Sequence, residues 1–236
     1  MRIKIFVFAF VLGLFSAIGQ QKQFQMEEIW DGTFQTKSLF RLHSLNNGKE
    51  YTVMQYDSNG NKTIDVYRYD TGEKVRSLLN TSDYPQLKSL FQYSFSPDET
   101  RLLLGTEVQP IYRRSVLAVY YVLDLTTEKL IQVDEDKIQE PSFAADGSKI
   151  AYGKDNNLFI KDLNRNSTTQ ITADGKKNEI INGIADWVYE EEFAIVRMFD
   201  WSADGNYLAY IKFDESEVPE FSMDVYGKEL YPTQQV

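Results

Sequence analysis

The side chains with chemistry to offer are concentrated in one short stretch, Ala185-Asp-Trp-Val-Tyr-Glu-Glu-Glu-Phe193. Three consecutive carboxylates beside Trp187, Tyr189 and Phe193 are not ordinary strand sequence. Crowded acids repel, so the pKa of one rises unless a cation stands near. Read by itself, the run Glu190 to Glu192 also fits a solvated acidic turn. Other chemistry is sparse. The 236 residues include no Cys, which removes thiol nucleophiles, disulfides, zinc fingers and iron–sulfur sites. A single His leaves no multi-His metal site. Neither a Gly-x-Ser-x-Gly elbow nor a Gly-rich phosphate loop occurs. His43, in Phe40-Arg-Leu-His-Ser44, is expected to pack rather than act as a base. Asp57-Ser-Asn-Gly-Asn-Lys62 reads as a hairpin turn, because no bidentate Glu follows at the twelfth position of a calcium loop. Asp134-Glu-Asp136 reads as a solvated loop. No cofactor and no metal are expected.

The balance of charge narrows the partners. With 25 basic and 35 acidic side chains the formal charge is -10, which argues against nucleic acid and against anionic membranes. A 42% hydrophobic content with 14% aromatics is enough to fill a core. Met1 to Lys4 is a basic head, Ile5 to Phe15 is an apolar run, and Ser16-Ala-Ile-Gly19 offers small residues at a cleavage site. This is the pattern of a signal peptide over residues 1–19, so the chain is expected to be exported to a periplasm, an outer surface or the medium. An uncleaved anchor is the competing reading, although a spanning helix needs about 20 apolar residues. Without Cys, an exported protein must be held by packing alone. Asn61-Lys-Thr, Asn80-Thr-Ser and Asn166-Ser-Thr match the glycosylation pattern and fit chance matches in Asn-rich loops equally well.

The elements that must position the acids repeat along the chain. Phe95-Ser-Pro-Asp98, Phe143-Ala-Ala-Asp146-Gly and Trp201-Ser-Ala-Asp204-Gly each place an aromatic at a strand end, then an Asp turn, then a second apolar strand. A weaker copy sits at Asn47-Gly48. Asp-Gly is expected to form a two-residue hairpin with positive φ at both central positions. Asp98 and Asp146 lie 48 residues apart, Asp146 and Asp204 58 apart. An outer hairpin follows each inner one, as at Val116 to Leu125 with Lys129 to Val133, and Leu158 to Leu163 with Thr168 to Thr172. About four strands per repeat at this pitch is the signature of a β-propeller. The fold class is therefore all-β: a partial β-propeller of about four four-stranded blades of eight, with a short helical insert. A β-sandwich is the alternative. The domain organisation expected is a signal peptide over 1–19, a lead-in segment over 20–39 and an incomplete propeller over 40–236. In the last repeat, strands read at Tyr207 to Phe213 and Phe221 to Tyr226, with no closing strand before Val236, so the chain reads as part of something longer.

The extra residues of the 58-residue interval are the acidic insert, and Trp187-Val-Tyr-Glu-Glu-Glu-Phe193 resembles the double-Glu motif of the dipeptidyl peptidase IV family, in the prolyl oligopeptidase superfamily. Ile29-Trp-Asp-Gly-Thr-Phe34, Tyr112-Arg-Arg-Ser115 and Leu208-Ala-Tyr-Ile-Lys-Phe-Asp-Glu-Ser-Glu-Val-Pro219 resemble further family segments. The resemblance implies an eight-bladed propeller capping an α/β-hydrolase domain, of which this chain holds roughly the first half. It implies a serine dipeptidyl-aminopeptidase acting on peptides with a free N-terminus and Pro or Ala second, and a homodimer at full length. Glu191 and Glu192 map to the pair that binds the substrate ammonium, with Glu190 as a solvated or structural neighbour. Arg113 maps to the substrate-binding Arg, although Arg114 departs from the family pattern and leaves a one-position ambiguity. Trp187 and Tyr189 are expected to pack the insert onto its blade.

A free α-amine has a pKa near 8 and is mostly ammonium at neutral pH, so two carboxylates can hold it by charge-assisted hydrogen bonds. Adjacent helical side chains point about 100° apart, so the pair can converge on one amine only at a bent or terminal turn. Arg113 would hold both carboxylates ionised and bind the first carbonyl. The chain lacks the family's Ser, Asp and His and is expected to be inactive alone, the missing hydrolase domain being a required partner. Two alternatives stand beside this reading. One is a non-enzymatic periplasmic or surface propeller that binds protein. The other is an endo-acting branch of the superfamily, against which the insert speaks.

Overall fold

The computed structural model describes residues 24–36, 41–228, 231 and 233–235. The segment over 1–19 read as a leader lies outside the described residues. The described residues fall into two compact units, one over 24–36 and the other from 41 onward. In the first, α1 (Met26–Trp30) opens with a capping box between Gln25 and Glu28 and stops at Asp31. Phe24 and Phe34 meet edge to face at 5.3 Å.

The second unit is built of antiparallel blades. The first sheet orders β1 (His43–Ser44), β2 (Glu50–Tyr56), β3 (Lys62–Arg68) and β4 (Lys74–Asn80). The next orders β5 (Gln92–Phe95), β6 (Arg101–Pro110), β7 (Val116–Asp124) and β8 (Leu130–Gln132). The third orders β9 (Gln139–Phe143), β10 (Lys149–Lys154), β11 (Asn157–Asp162) and β12 (Ser167–Gln170). The all-β, propeller-like architecture expected from the repeats is thus present.

The second and third blades are greasy on both faces because both faces are covered. In β6, Leu102 and Leu104 join Met54, Ile64 and Leu79 of the first blade, together with Leu87 and Leu90. Leu103, between them, points the other way and joins Ile150, Tyr152 and Leu163 of the third blade. The third blade repeats the division, with Ala151 and Leu158 packed on Ile184 and Phe199. This is the period-two alternation of a strand, with apolar residues on both sides. Gly105 and Gly153 hold equivalent positions in β6 and β10. A Cβ there would stand 2.7 Å from the Phe91 ring or from Ile184, so glycine permits the close approach of the neighbouring layer.

The repeated Asp turns have one geometry, which differs from the expected hairpin. Gly48, Glu99, Gly147 and Gly205 donate their N–H to Leu45, Ser96, Ala144 and Ser202. Positive φ falls only on this fourth residue, at 66°, 57°, 67° and 69°, and not on the preceding Asp or Asn. The preceding residue instead caps the turn with its side chain. Asn47 accepts from Lys49 N–H, Asp98 from Thr100, Asp146 from Ser148 and Asp204 from Asn206. An acceptor on a short stem is therefore what the position selects. Hydrogen bonds from Ser202 and Asn206 hold the exposed Asp204 carboxyl at about 2. The turns also tie one blade to the next: Asn46 Nδ2 donates to Pro97 O, Arg101 to Gly147 O at 2.6 Å, and Trp201 Nε1 to Ser142 O.

The fourth repeat is more broken. Strand β13 (Ile180–Asn182) pairs with β16 (Lys212–Asp214), while β14 (Phe199–Trp201) pairs with β15 (Leu208–Tyr210). The strand read at Phe221 to Tyr226 is present as β17 (Met223–Val225). It pairs with β18 (Thr233–Gln235) in a two-stranded sheet of its own, a strand that the sequence reading omitted. Between β13 and β14 the chain leaves the sheet to form α2 (Trp187–Phe193).

Because the clusters between blades are the core, truncating one should be costly. Leu104 is fully buried between the first two blades, so Leu104→Ala is expected to lower the unfolding free energy by roughly 2–5 kcal/mol in urea titrations. A loss within about 0.5 kcal/mol, the size of an ordinary surface change, would contradict this packing.

Candidate functional site

Two excursions from the blades build the site. One is the long β6–β7 hairpin, closed near its tip by Ile111 N–H donating to Ser115 O at 2.9 Å. Its register shifts between Thr106 and Gln109. The tip carries Tyr112, Arg113 and Arg114. The other excursion is α2, held at its base by the Ile184 to Arg197 bridge and by Ala185 N–H donating to Val196 O at 2.8 Å. Asp186 caps the helix, accepting from Tyr189 N–H at 2.8 Å, and the helix ends at Ala194 in the left-handed region with φ 57°. The Asp before the run is a legible helix-start signal.

The three acids of the helix divide in three directions, as successive steps of about 100° require. Glu190 turns inward and is 1% exposed. Its Oε1 accepts the N–H of Arg114 at 2.5 Å and of Ser115 at 2.9 Å. Burial by itself raises its pKa. The Ser115 hydroxyl and N–H beside it, and the Arg114 N–H, outweigh that and hold the carboxyl below the ordinary range. Glu190 is therefore structural and not solvated. Glu191 meets the hairpin: Arg113 Nε lies 3.0 Å from its Oε2 and 3.3 Å from its Oε1. Its side chain is 19% exposed against 71% for Arg113. Glu192 is exposed, and no described cation is paired with it. Of the two arginines, Arg113 is the one whose side chain reaches the acids; Arg114 contributes its backbone.

The surroundings contain residues that sequence reasoning missed. A cavity of about 390 Å³ adjoins the hairpin and the helix start, lined in part by Tyr112, Gln139, Asn178, Asp186 and Glu215. Burial raises the pKa of Glu215, and the nearby Asp186 adds to it. Burial likewise raises the Tyr112 phenol, reinforced by Glu190, Glu215 and Asp186. Neither Arg113, Glu191 nor Glu192 lines this cavity. A cavity of about 560 Å³ between the second and third blades is lined by residues 129–136 with Lys154, Lys161, Asn166 and Thr168, and it too includes none of the site residues. Asp134, expected in a solvated loop, is tied there to Tyr152 at 2.5 Å and Lys154 at 2.8 Å. Tyr189 packs on Phe213 and Phe193, as expected, but Trp187 is 56% exposed. His43 is exposed, with its ring 4.9 Å from Phe95. Among the described residues no group of three or more His, Cys, Asp or Glu is placed to hold a metal.

The fold agrees with the comparisons to known proteins. Residues 96–236 match the dipeptidyl peptidase IV (DPP IV) N-terminal region. The chain belongs to that family. It is 35% identical over 212 residues to bovine prolyl endopeptidase FAP, covering 88% of this chain and 27% of that protein. It is 37% identical over 153 residues to a probable dipeptidyl-aminopeptidase B of Neurospora crassa, covering 58% of this chain and 16% of the relative. The crystal structure of Porphyromonas gingivalis dipeptidyl peptidase 4 superposes with a TM-score of 0.80 at 35% identity, covering 91% of this chain and 31% of that one. The chain thus spans about a quarter to a third of the length of the bovine relative and of the solved structure.

The two perturbed acids act on stability with opposite sign. Glu190 has a lowered folded pKa, so its contribution is present above the ordinary carboxylate value and lost as pH falls through the lower folded value. Glu215 has a raised folded pKa, so its contribution is present below the ordinary value and lost as pH rises through the raised one. Urea unfolding from pH about 4 to about 7 is expected to show Glu215→Gln gaining on the unsubstituted protein as pH rises. A difference independent of pH would refute the assignment. Removing the helix cap with Asp186→Ala should cost about 0.5–2 kcal/mol at neutral pH, read in the same titration.

Proposed function

We propose that Glu191 and Glu192 bind the N-terminal ammonium of a peptide, with Arg113 pairing with Glu191 and donating to the peptide's first carbonyl. The observation that carries this is the Arg113 to Glu191 ion pair beside an exposed, unpaired Glu192. Two carboxylates and one guanidinium leave one negative charge uncompensated, which is the charge that a single ammonium neutralises. Both acids lie in the terminal turn of α2, where neighbouring side chains have room to converge. Dipeptidyl-aminopeptidase activity, release of N-terminal X-Pro or X-Ala dipeptides, follows as the function of the protein to which this propeller portion belongs. The amine anchor would fix the distance to a catalytic serine, and this chain carries no Gly-x-Ser-x-Gly sequence to supply one. Export after removal of the leader at Gly19 belongs to the same reading.

The bovine relative is named a prolyl endopeptidase, so membership of this family does not by itself separate exo- from endo-cleavage. The ammonium anchor does, because an internal peptide bond brings no charge to it. A protein-binding scaffold is the remaining second reading, and it has no use for an ammonium clamp.

Binding of glycyl-prolinamide and of its N-acetyl derivative separates these. Glu191→Ala and Glu192→Ala are each expected to weaken the free-amine ligand by about 10- to 100-fold, as loss of a charged hydrogen bond of about 1.5–3 kcal/mol implies. The acetylated ligand should bind weakly and equally to all forms. Unchanged affinity in both variants would contradict the reading.

A further inference from the structure

The acid triplet contains one member that an ammonium anchor does not use. Glu190 is as buried as a core leucine, and it makes its hydrogen bonds to backbone rather than to any side chain that a substrate would meet. Those backbone groups belong to the loop that bears Arg113, 76 and 75 residues earlier in the chain. We infer that Glu190 is a positioning residue: it clamps the N–H groups of Arg114 and Ser115 and so sets the guanidinium of Arg113 against Glu191. The inference rests on the proposed ammonium site and names what holds that site in shape.

The geometry favours this role over simple space filling. The hairpin that carries Arg113 is long, has a register shift, and includes Glu107 at φ 50°, so its tip is not fixed by the sheet ladder alone. At the tip, the Ser115 to Ile111 bond closes the loop upon itself but does not attach it to anything else. The two bonds from Glu190 are the attachment to α2 that lies out of solvent, whereas the Arg113 to Glu191 pair is largely exposed on the arginine side. An exposed ion pair between long side chains has little rigidity or energy of its own. A buried carboxylate accepting two amide protons has both.

The test uses the isotopically labelled 236-residue chain, with glycyl-prolinamide and its N-acetyl form as probes. In the unsubstituted protein the Arg114 and Ser115 amide protons should resonate well downfield, as acceptors with full charge dictate. Glu190→Ala should move both upfield and weaken the free-amine probe by about 10-fold or more. Glu190→Gln keeps an acceptor oxygen and loses the charge, so it should restore part of both signals. A merely structural residue would lower stability and leave the ratio of free-amine to acetylated affinity as it was. If Glu190→Ala does not fold, Glu190→Gln decides alone, and an unchanged ratio in it overturns the inference. If both Glu190 variants keep the ratio while Glu191→Ala loses it, the clamp is wrong and the ammonium site stands. If the unsubstituted chain does not distinguish the two probes, the ammonium site fails and the clamp's role falls with it.

Discussion

Contact between the tip of one hairpin and one short helix, residues 75 to 78 positions apart in sequence, is the interaction on which the candidate site depends. Neither excursion can make it unaided. The hairpin grows from the second blade and the helix from the fourth, so the third blade sets the distance between them. That distance is fixed by packing: Leu103 and Tyr120 against Ile150 and Tyr152 on one side, Ala151 and Leu158 against Ile184 and Phe199 on the other. Interiors at native density transmit small shifts rather than absorbing them. A propeller is suited to this work because each blade is a spacer that is held on both faces.

The electrostatics of the junction are arranged by depth. The innermost acid is satisfied by amide protons and stays ionised despite burial. The middle one is paired with a guanidinium, and the outermost faces solvent. The result is a gradient, from a charge satisfied inside the fold to a charge that faces solvent. Behind it, burial pushes the Glu215 carboxyl up, and the nearby Asp186 adds to the shift. An acidic site in a chain of net charge -10 attracts cationic groups from a distance and repels acidic peptides.

Much of the fold was legible because the blades repeat. An aromatic, a short-stemmed acceptor and an apolar strand recur in phase, at about four strands per repeat. The turn type was misjudged because Asp-Gly suggests two left-handed residues, whereas Asp98, Asp146 and Asp204 act through their side chains and only the next residue is left-handed. Glu99 in that place shows that the turn does not even require glycine. Strand β18 was missed because Thr233-Gln-Gln235 has no apolar alternation to announce it. Within the site, the acid triplet stood out by residue type, and Arg113 only through the resemblance of Tyr112-Arg-Arg-Ser115 to a family segment. The inward turn of Glu190 was not readable, since its partners are backbone groups and carry no residue signature. The coupling of Tyr112 to Glu215 likewise arises only when distant segments fold together.

The most direct test of the account is the pH dependence of binding of a free-amine dipeptide amide to the unsubstituted protein. An ammonium anchor requires the ligand to be charged and the acids to be ionised, so affinity should hold through neutral pH and fall as pH rises through about 8, where an α-amine loses its proton. The same dipeptide with its amine acetylated should show no such fall. Affinity that stays flat through the titration of the amine would mean that the acids of α2 grip something other than a charged peptide head.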